Sequence, residues 1–132
     1  MTALPQPEEW STLLADLDPN PLIVLSQDRR ILYANATVRA LCAPHYGDRV
    51  EGLKLGDVLR CIHSQEPEGC GDTPSCTYCG ANLAIRRGLN GAPGTEECRV
   101  TASTVAGDAS LEYRIQCRPM QWNGIDAVFC AL

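Results

Sequence analysis

The chain contains no apolar run approaching the roughly 20 residues that a membrane span requires, so a soluble module is expected, with no direct membrane contact. Its N-terminal stretch, Met1 to Glu9, is polar and proline-rich. A secretory leader would instead begin with a charged segment followed by an apolar one, so a reducing, cytoplasmic compartment is expected, although a parent protein could be membrane-associated. Positive charge is also scarce. There are 11 Lys+Arg against 16 Asp+Glu, for a formal net charge of −5. Without clustered cations to meet phosphates, neither nucleic acid nor an anionic membrane surface is an expected partner. A Ser/His/Asp set, a phosphate-cradling loop and paired carboxylates are all missing, which removes the common routes to hydrolysis and phosphoryl transfer. No internal repeat or low-complexity tract is visible.

Cysteine is what the chain has in plenty, with eight in 132 residues. Four of them, Cys61, Cys70, Cys76 and Cys79, fall in the span 59–80 with the spacing C-x8-C-x5-C-x2-C, and His63 lies between the first two. Pro67, Gly69, Gly71 and Pro74 forbid long regular structure there. A loop with so little core of its own is expected to need a cross-link or a bound ion to be ordered.

At 132 residues, with 45% hydrophobic and 20% charged content, one globular domain is expected. Trp10, Leu13, Leu14 and Leu17 recur at i, i+3, i+4 and i+7, which predicts a short amphipathic helix. Leu22 to Leu25 is apolar on both faces, as a central strand covered on both sides would be, and Ile31 to Tyr33 returns antiparallel to it. A helix follows from Asn35, with Val38, Leu41 and Cys42 on one face, until Pro44 and Gly47 break it. Cys79 to Leu89 reads as a second helix, with Leu83 and Ala84 inward and Arg86 and Arg87 as a solvated end. Three strands close the chain: Glu97 to Ser103, Leu111 to Arg118 and Ile125 to Leu132, the last two joined through the Asn123-Gly124 turn signal. The closing strand is apolar on both faces, so it is expected mid-sheet, with the Trp10/Leu13/Leu14/Leu17 stripe as its outer cover.

Within this order, the stretch P-x-x-I-V-L-S-Q-D-R-R-I-L-Y-A-N-A-T, with its Tyr33-Ala34-Asn35 step, resembles the opening of PAS sensor domains. Leu53 to Val58 resembles their approach to the middle helices. The resemblance covers residues 16–132 and implies an α+β fold: a five-stranded antiparallel sheet with helices enclosing a pocket on one face and the N-terminal helix on the other. Residues 1–17 then form a tail and helix, and residues 18–132 the sensor domain. The resemblance implies a non-catalytic sensory module of a bacterial signalling protein such as a histidine kinase. Such a module passes a redox or ligand state to an output domain in the same chain and works as a homodimer. A flavin photoreceptor helix of N-C-R-F-L-Q type is absent, and Cys79 to Leu89 has no histidine for haem, so neither cofactor is supported.

The segment also resembles a Cys-rich insertion, G-C-G-x-x-x-x-C-x-x-C, of some bacterial PAS proteins, which implies a metal or redox role for Cys61, Cys70, Cys76 and Cys79, with His63 as an alternative ligand. All-thiolate ligation suits zinc or an iron–sulfur cluster. Thiol/disulfide chemistry and plain reduced cysteines remain open beside it. Cys42, Cys98, Cys117 and Cys130 lie on apolar faces and are expected to pack as small hydrophobes. His45 is expected to be solvated. Two further functions stay in view. One is a small thiol oxidoreductase using Cys76 and Cys79, against which the absence of a parallel βαβ pattern counts. The other is a PAS-like module used only for dimerisation.

Overall fold

The computed structural model describes residues 7–132, with side chains from Ser11 onward, so the side chain of Trp10 lies outside the described residues. The elements are α1 (Pro7–Leu17), β1 (Leu22–Leu25), β2 (Ile31–Ala34), α2 (Ala36–Tyr46), α3 (Leu55–Val58), α4 (Gly80–Leu89), β3 (Gly94–Thr104), β4 (Gly107–Trp122) and β5 (Ile125–Ala131). The strands form one antiparallel sheet in the order β2-β1-β5-β4-β3. First and last strands therefore lie side by side in the interior of the sheet, as their two-sided apolar patterns predict. No helix among the described residues is long and apolar enough to cross a membrane.

Strand parity decides which side chains meet the helices. Ile23 pairs with Cys130 and Leu25 with Val128, and all four are buried on the inner face. Ile115, Cys117, Cys98 and Val100 continue that face across β4 and β3. Each fully buried Ile or Leu contributes roughly 1.5–3 kcal/mol of transfer free energy. Helix α4 covers this surface through Ala81, Ala84 and Ile85, while Leu83, expected inward, is 41% exposed. Small residues let the helix come close. A Cβ on Gly88 would lie 2.4 Å from Cγ2 of Val128. The β4–β5 turn follows the Asn-Gly signal, with φ of 50° at Asn123 and 81° at Gly124.

Helix α2 starts at Asn35, whose side chain caps it by accepting the Val38 N–H. Val38 and Cys42, one turn apart, face the core, whereas Leu41 points out at 48% exposure instead of sharing their face. Pro44 sits inside the last turn and does not end the helix; Gly47, at φ of 61°, does. Strand β3 starts three residues earlier than the alternation suggests, because Gly94 already pairs with Cys117.

The expected cover of the outer sheet face is not made by the α1 leucines. Leu13, Leu14 and Leu17 are 48%, 63% and 81% exposed. Polar contacts hold α1 instead: Tyr33 Oη donates to Asp16, and Asn35 Nδ2 donates to the Ala15 carbonyl at 2.8 Å. Tyr33 itself stacks on Trp122 across the outer face, with ring centroids 5.5 Å apart.

Candidate functional site

Between the inner sheet face, α3 and α4 lies a cavity of about 230 Å³. Leu25, Val100, Leu55 and Ile85 supply its apolar wall, and the 59–80 segment closes it. Cys61, Cys70, Cys76 and Cys79 all line it, as does His63. A fifth thiol, Cys98, joins them from β3. The cysteines that the spacing singled out are thus brought around one space, and all eight cysteines of the chain are free thiols.

The segment is ordered by its own hydrogen bonds and by one carboxylate. It contains two short 3-10 turns, Ile62–Gln65 and Pro74–Tyr78, and an isolated antiparallel bridge from Cys61 to Ala102 of β3. Asp72 meets three cations, Arg29 at 2.6 Å, Lys54 at 3.3 Å and Arg86 at 3.4 Å. Burial alone would raise the Asp72 carboxyl, but the Lys54 and Arg29 partners outweigh it and hold it below its ordinary value. Arg86 also donates to the Gly71 carbonyl at 2.9 Å. It is therefore a clamp on the loop and not merely a wet helix end. Two thiols accept backbone N–H groups: Cys70 from Gly56 and Cys76 from Gly71, each at 3.2 Å. Only a glycine fits at position 56, since a Cβ there would lie 2.8 Å from both Cβ and Sγ of Cys70.

The thiols differ in their electrostatic settings. Burial pushes Cys70 up to about 11, against the opposing Gly56 N–H, and also raises Cys61. Cys79 goes the other way, to about 6. The largest cause is the hydrogen bond with Cys98, whose Sγ lies 3.8 Å away; burial opposes it, and the N–H groups of Asn82 and Ala81 and the nearby His63 reinforce it. Cys79 occupies the N-cap position of α4, where unpaired N–H groups favour negative charge. Cys98, on the strand, is raised correspondingly by Cys79 and by burial. The two backbones touch beside this pair, since a Cβ on Gly80 would fall 2.0 Å from the Glu97 carbonyl oxygen.

A tetrahedral zinc with sulfur ligands at about 2.3 Å would draw four sulfurs to within roughly 3.8 Å of one another. Among the described residues, no three His, Cys, Asp or Glu side chains are gathered closely enough to hold a metal ion. As arranged, the thiols surround a space instead of converging on one point. His63 pairs with Glu66, Nδ1 to Oε2 at 3.4 Å.

Two participants escaped the sequence pattern. The alternation of β3 correctly buries Cys98 with Val100 and Ala102, but only the path of α4 puts Cys79 against it. Arg29 reads as part of a polar turn; in the fold, at φ of 63°, it reaches back to Asp72. Cys42, Cys117 and Cys130 are buried in the core, as expected, with Cys117 and Cys130 in sulfur contact at 3.2 Å. His45 is exposed at the end of α2.

No family model and no curated protein matches the chain. Solved structures do. The PAS domain of nitrogen regulation protein NR(II) from Vibrio parahaemolyticus aligns with a TM-score of 0.61 at 15% identity, covering 98% of this chain and 96% of that one. The PAS domain of Bordetella pertussis BvgS aligns at 0.54 and 16% identity, covering 96% and 82%. A domain of a sensory box sensor histidine kinase/response regulator from Geobacter sulfurreducens aligns at 0.58 and 14% identity, covering 94% and 91%. At such identities the likeness is one of architecture. With a TM-score of 0.61 over nearly the whole of both chains, the fold of this chain, a five-stranded antiparallel sheet with helices, is the PAS fold.

Proposed function

We propose that the chain is a sensory PAS domain of a signal-transduction protein, with redox state as its input and the thiol-lined cavity as the receiving site. The observation that carries this is the gathering of five thiols, Cys61, Cys70, Cys76, Cys79 and Cys98, around one internal space. Buried structural cysteines have no reason to collect around a cavity, whereas a site that must be reached by an oxidant or filled by a ligand does. A parent histidine kinase is supported by the sensor histidine kinases to which similarly folded domains belong. The domain has no catalytic set of its own and passes its state to an output module of the parent chain, in a cytoplasmic setting. The exposed Leu13, Leu14 and Leu17 of α1 support a homodimer.

A second reading is an iron–sulfur cluster on Cys61, Cys70, Cys76 and Cys79. What supports it is that all four thiols line the same cavity. Such a cluster would supply one-electron chemistry. The residues would supply four thiolates, and Gly56 the room for Cys70.

An anaerobic preparation, assayed for iron, sulfide and zinc and then exposed to mild oxidant, tests both readings. The redox reading predicts reversible loss of the pocket thiols to labelling, with iron and sulfide present if the cluster reading holds. One zinc would make the site structural. Five thiols that stay titratable after oxidation would overturn the redox reading.

A further inference from the structure

Two sulfur pairs lie close together in this fold, and they differ in one respect that matters for chemistry. Cys117 and Cys130 face each other across β4 and β5 at 3.2 Å, but both are sealed in the core at 1% and 0% exposure and neither lines the cavity. Cys79 and Cys98 are slightly farther apart, at 3.8 Å, and both line the cavity. Cys79 is the more open of the two; Cys98 is 4% exposed. A disulfide needs its sulfurs at about 2.05 Å, so closure asks for under 2 Å of movement between side chains whose backbones already touch at Gly80 and Glu97.

We propose that Cys79 and Cys98 form an oxidation site for small hydroperoxides, with Cys79 as the attacking thiol and Cys98 as the resolving one. This rests on the redox reading of the cavity given above and names the pair that carries it, which is not the Cys76/Cys79 pair of the C-x-x-C motif. In the first step the Cys79 thiolate attacks one peroxide oxygen. An S–O bond forms, the O–O bond breaks, and the other oxygen leaves as hydroxide or, from an alkyl hydroperoxide, as alkoxide, taking a proton to become water or an alcohol. Cys79 is then a sulfenic acid. In the second step the Cys98 sulfur attacks the Cys79 sulfur. An S–S bond forms, the S–O bond breaks, and the hydroxyl leaves with the Cys98 proton as a second water. The two sulfurs together lose two electrons, and the peroxide gains them.

The geometry assigns the roles. Cys79 is the N-cap residue of the 10-residue helix α4, where unpaired backbone N–H groups favour developing negative charge, and it is the more open of the two. Cys98 lies within strand β3 and is 4% exposed. The product ties the first turn of α4 to β3, an edge strand of the sheet, and takes two thiols out of the cavity lining. A local oxidation thereby becomes a cross-link between the helical layer and the sheet.

The test is peptide mapping of the reduced full chain after brief treatment with stoichiometric hydrogen peroxide. A Cys79–Cys98 cross-link is expected to be the dominant disulfide, with Cys117 and Cys130 still reduced. In Cys98→Ser, a dimedone adduct should accumulate on Cys79, at least several-fold above wild type. If that variant does not fold, the wild-type map decides alone. A dominant disulfide between other pocket thiols, such as Cys76–Cys79 or Cys61–Cys70, overturns the pair while leaving the redox reading of the cavity in place. Oxidation of Cys117–Cys130 ahead of the pocket also overturns the pair, because access would then not govern reactivity. Peroxide that consumes no pocket thiol overturns both.

Discussion

Replacing Asn35 by alanine is expected to cost about 3 kcal/mol or more of unfolding free energy in urea denaturation. The side chain is fully buried, and every polar atom of its amide is used. Its Oδ1 accepts the Leu22 N–H at 3.1 Å and the Val38 N–H at 3.2 Å, joining β1 to the start of α2. Its Nδ2 donates to the carbonyls of Ala15 and Asn20, at 2.8 and 2.9 Å, which pins the end of α1 and the turn after it. Loss of the helix cap alone costs about 0.5–2 kcal/mol. Each buried backbone group left unpaired adds roughly 1–3 kcal/mol. Asn35→Asp separates the two contributions, since it keeps the cap acceptor but turns a carboxylate oxygen toward two carbonyls. A cost below about 1 kcal/mol for Asn35→Ala would show that α1 and β1 are held by something other than this residue.

Cys98→Ala is expected to change the acid–base behaviour of a different residue, Cys79. In the wild type the hydrogen bond with Cys98 holds the Cys79 thiol below its ordinary value, to about 6. Removing that bond leaves burial, which disfavours the charge, opposed only by the helix amides and His63. The midpoint of iodoacetamide reactivity at Cys79 should then rise toward the ordinary thiol value of about 8.5, and the rate at pH 7 should fall by about tenfold or more. Cys98→Ser keeps a hydroxyl donor and should stay near the wild type. The sign of the stability effect follows from the lowered value. The unfolded chain holds the proton to higher pH than the folded one, so Cys79 stabilises the wild type progressively as pH rises from about 6 through the unfolded thiol range. That contribution is lost as pH falls through about 6. Identical alkylation profiles in wild type and Cys98→Ala would remove Cys98 as the cause.

What could be seen in the sequence, and what could not, divides along physical lines. Period-two alternation and two-sided apolar runs are local, so the order and mid-sheet placement of β1 and β5 were legible, as was the Asn123-Gly124 turn. The Tyr33-Ala34-Asn35 step was legible as a resemblance, and the hydrogen bonds of Asn35 and Tyr33 now give it a physical cause. The gathering of Cys61, Cys70, Cys76 and Cys79 around one cavity was half legible: the spacing pointed to proximity, and the cavity required the fold. The Cys79–Cys98 contact was hidden, because it depends on how closely α4 approaches β3, which Gly80 and Gly94 permit and no periodicity encodes. The outer-face role of the α1 leucines misled for the same reason. An apolar stripe says that a face can be covered, not which surface it meets.

The central claim is that the state of the cavity is felt by the sheet, and hydrogen-exchange mass spectrometry of the reduced and peroxide-oxidised protein tests it most directly. The account predicts slower exchange in the first turn of α4 and in β3 around Cys98, together with altered exchange in β4 and β5, which continue the sheet away from the site. Oxidation of the pocket thiols with exchange changes confined to residues 59–80 would contradict it, because the thiols would then react without the rest of the domain taking notice.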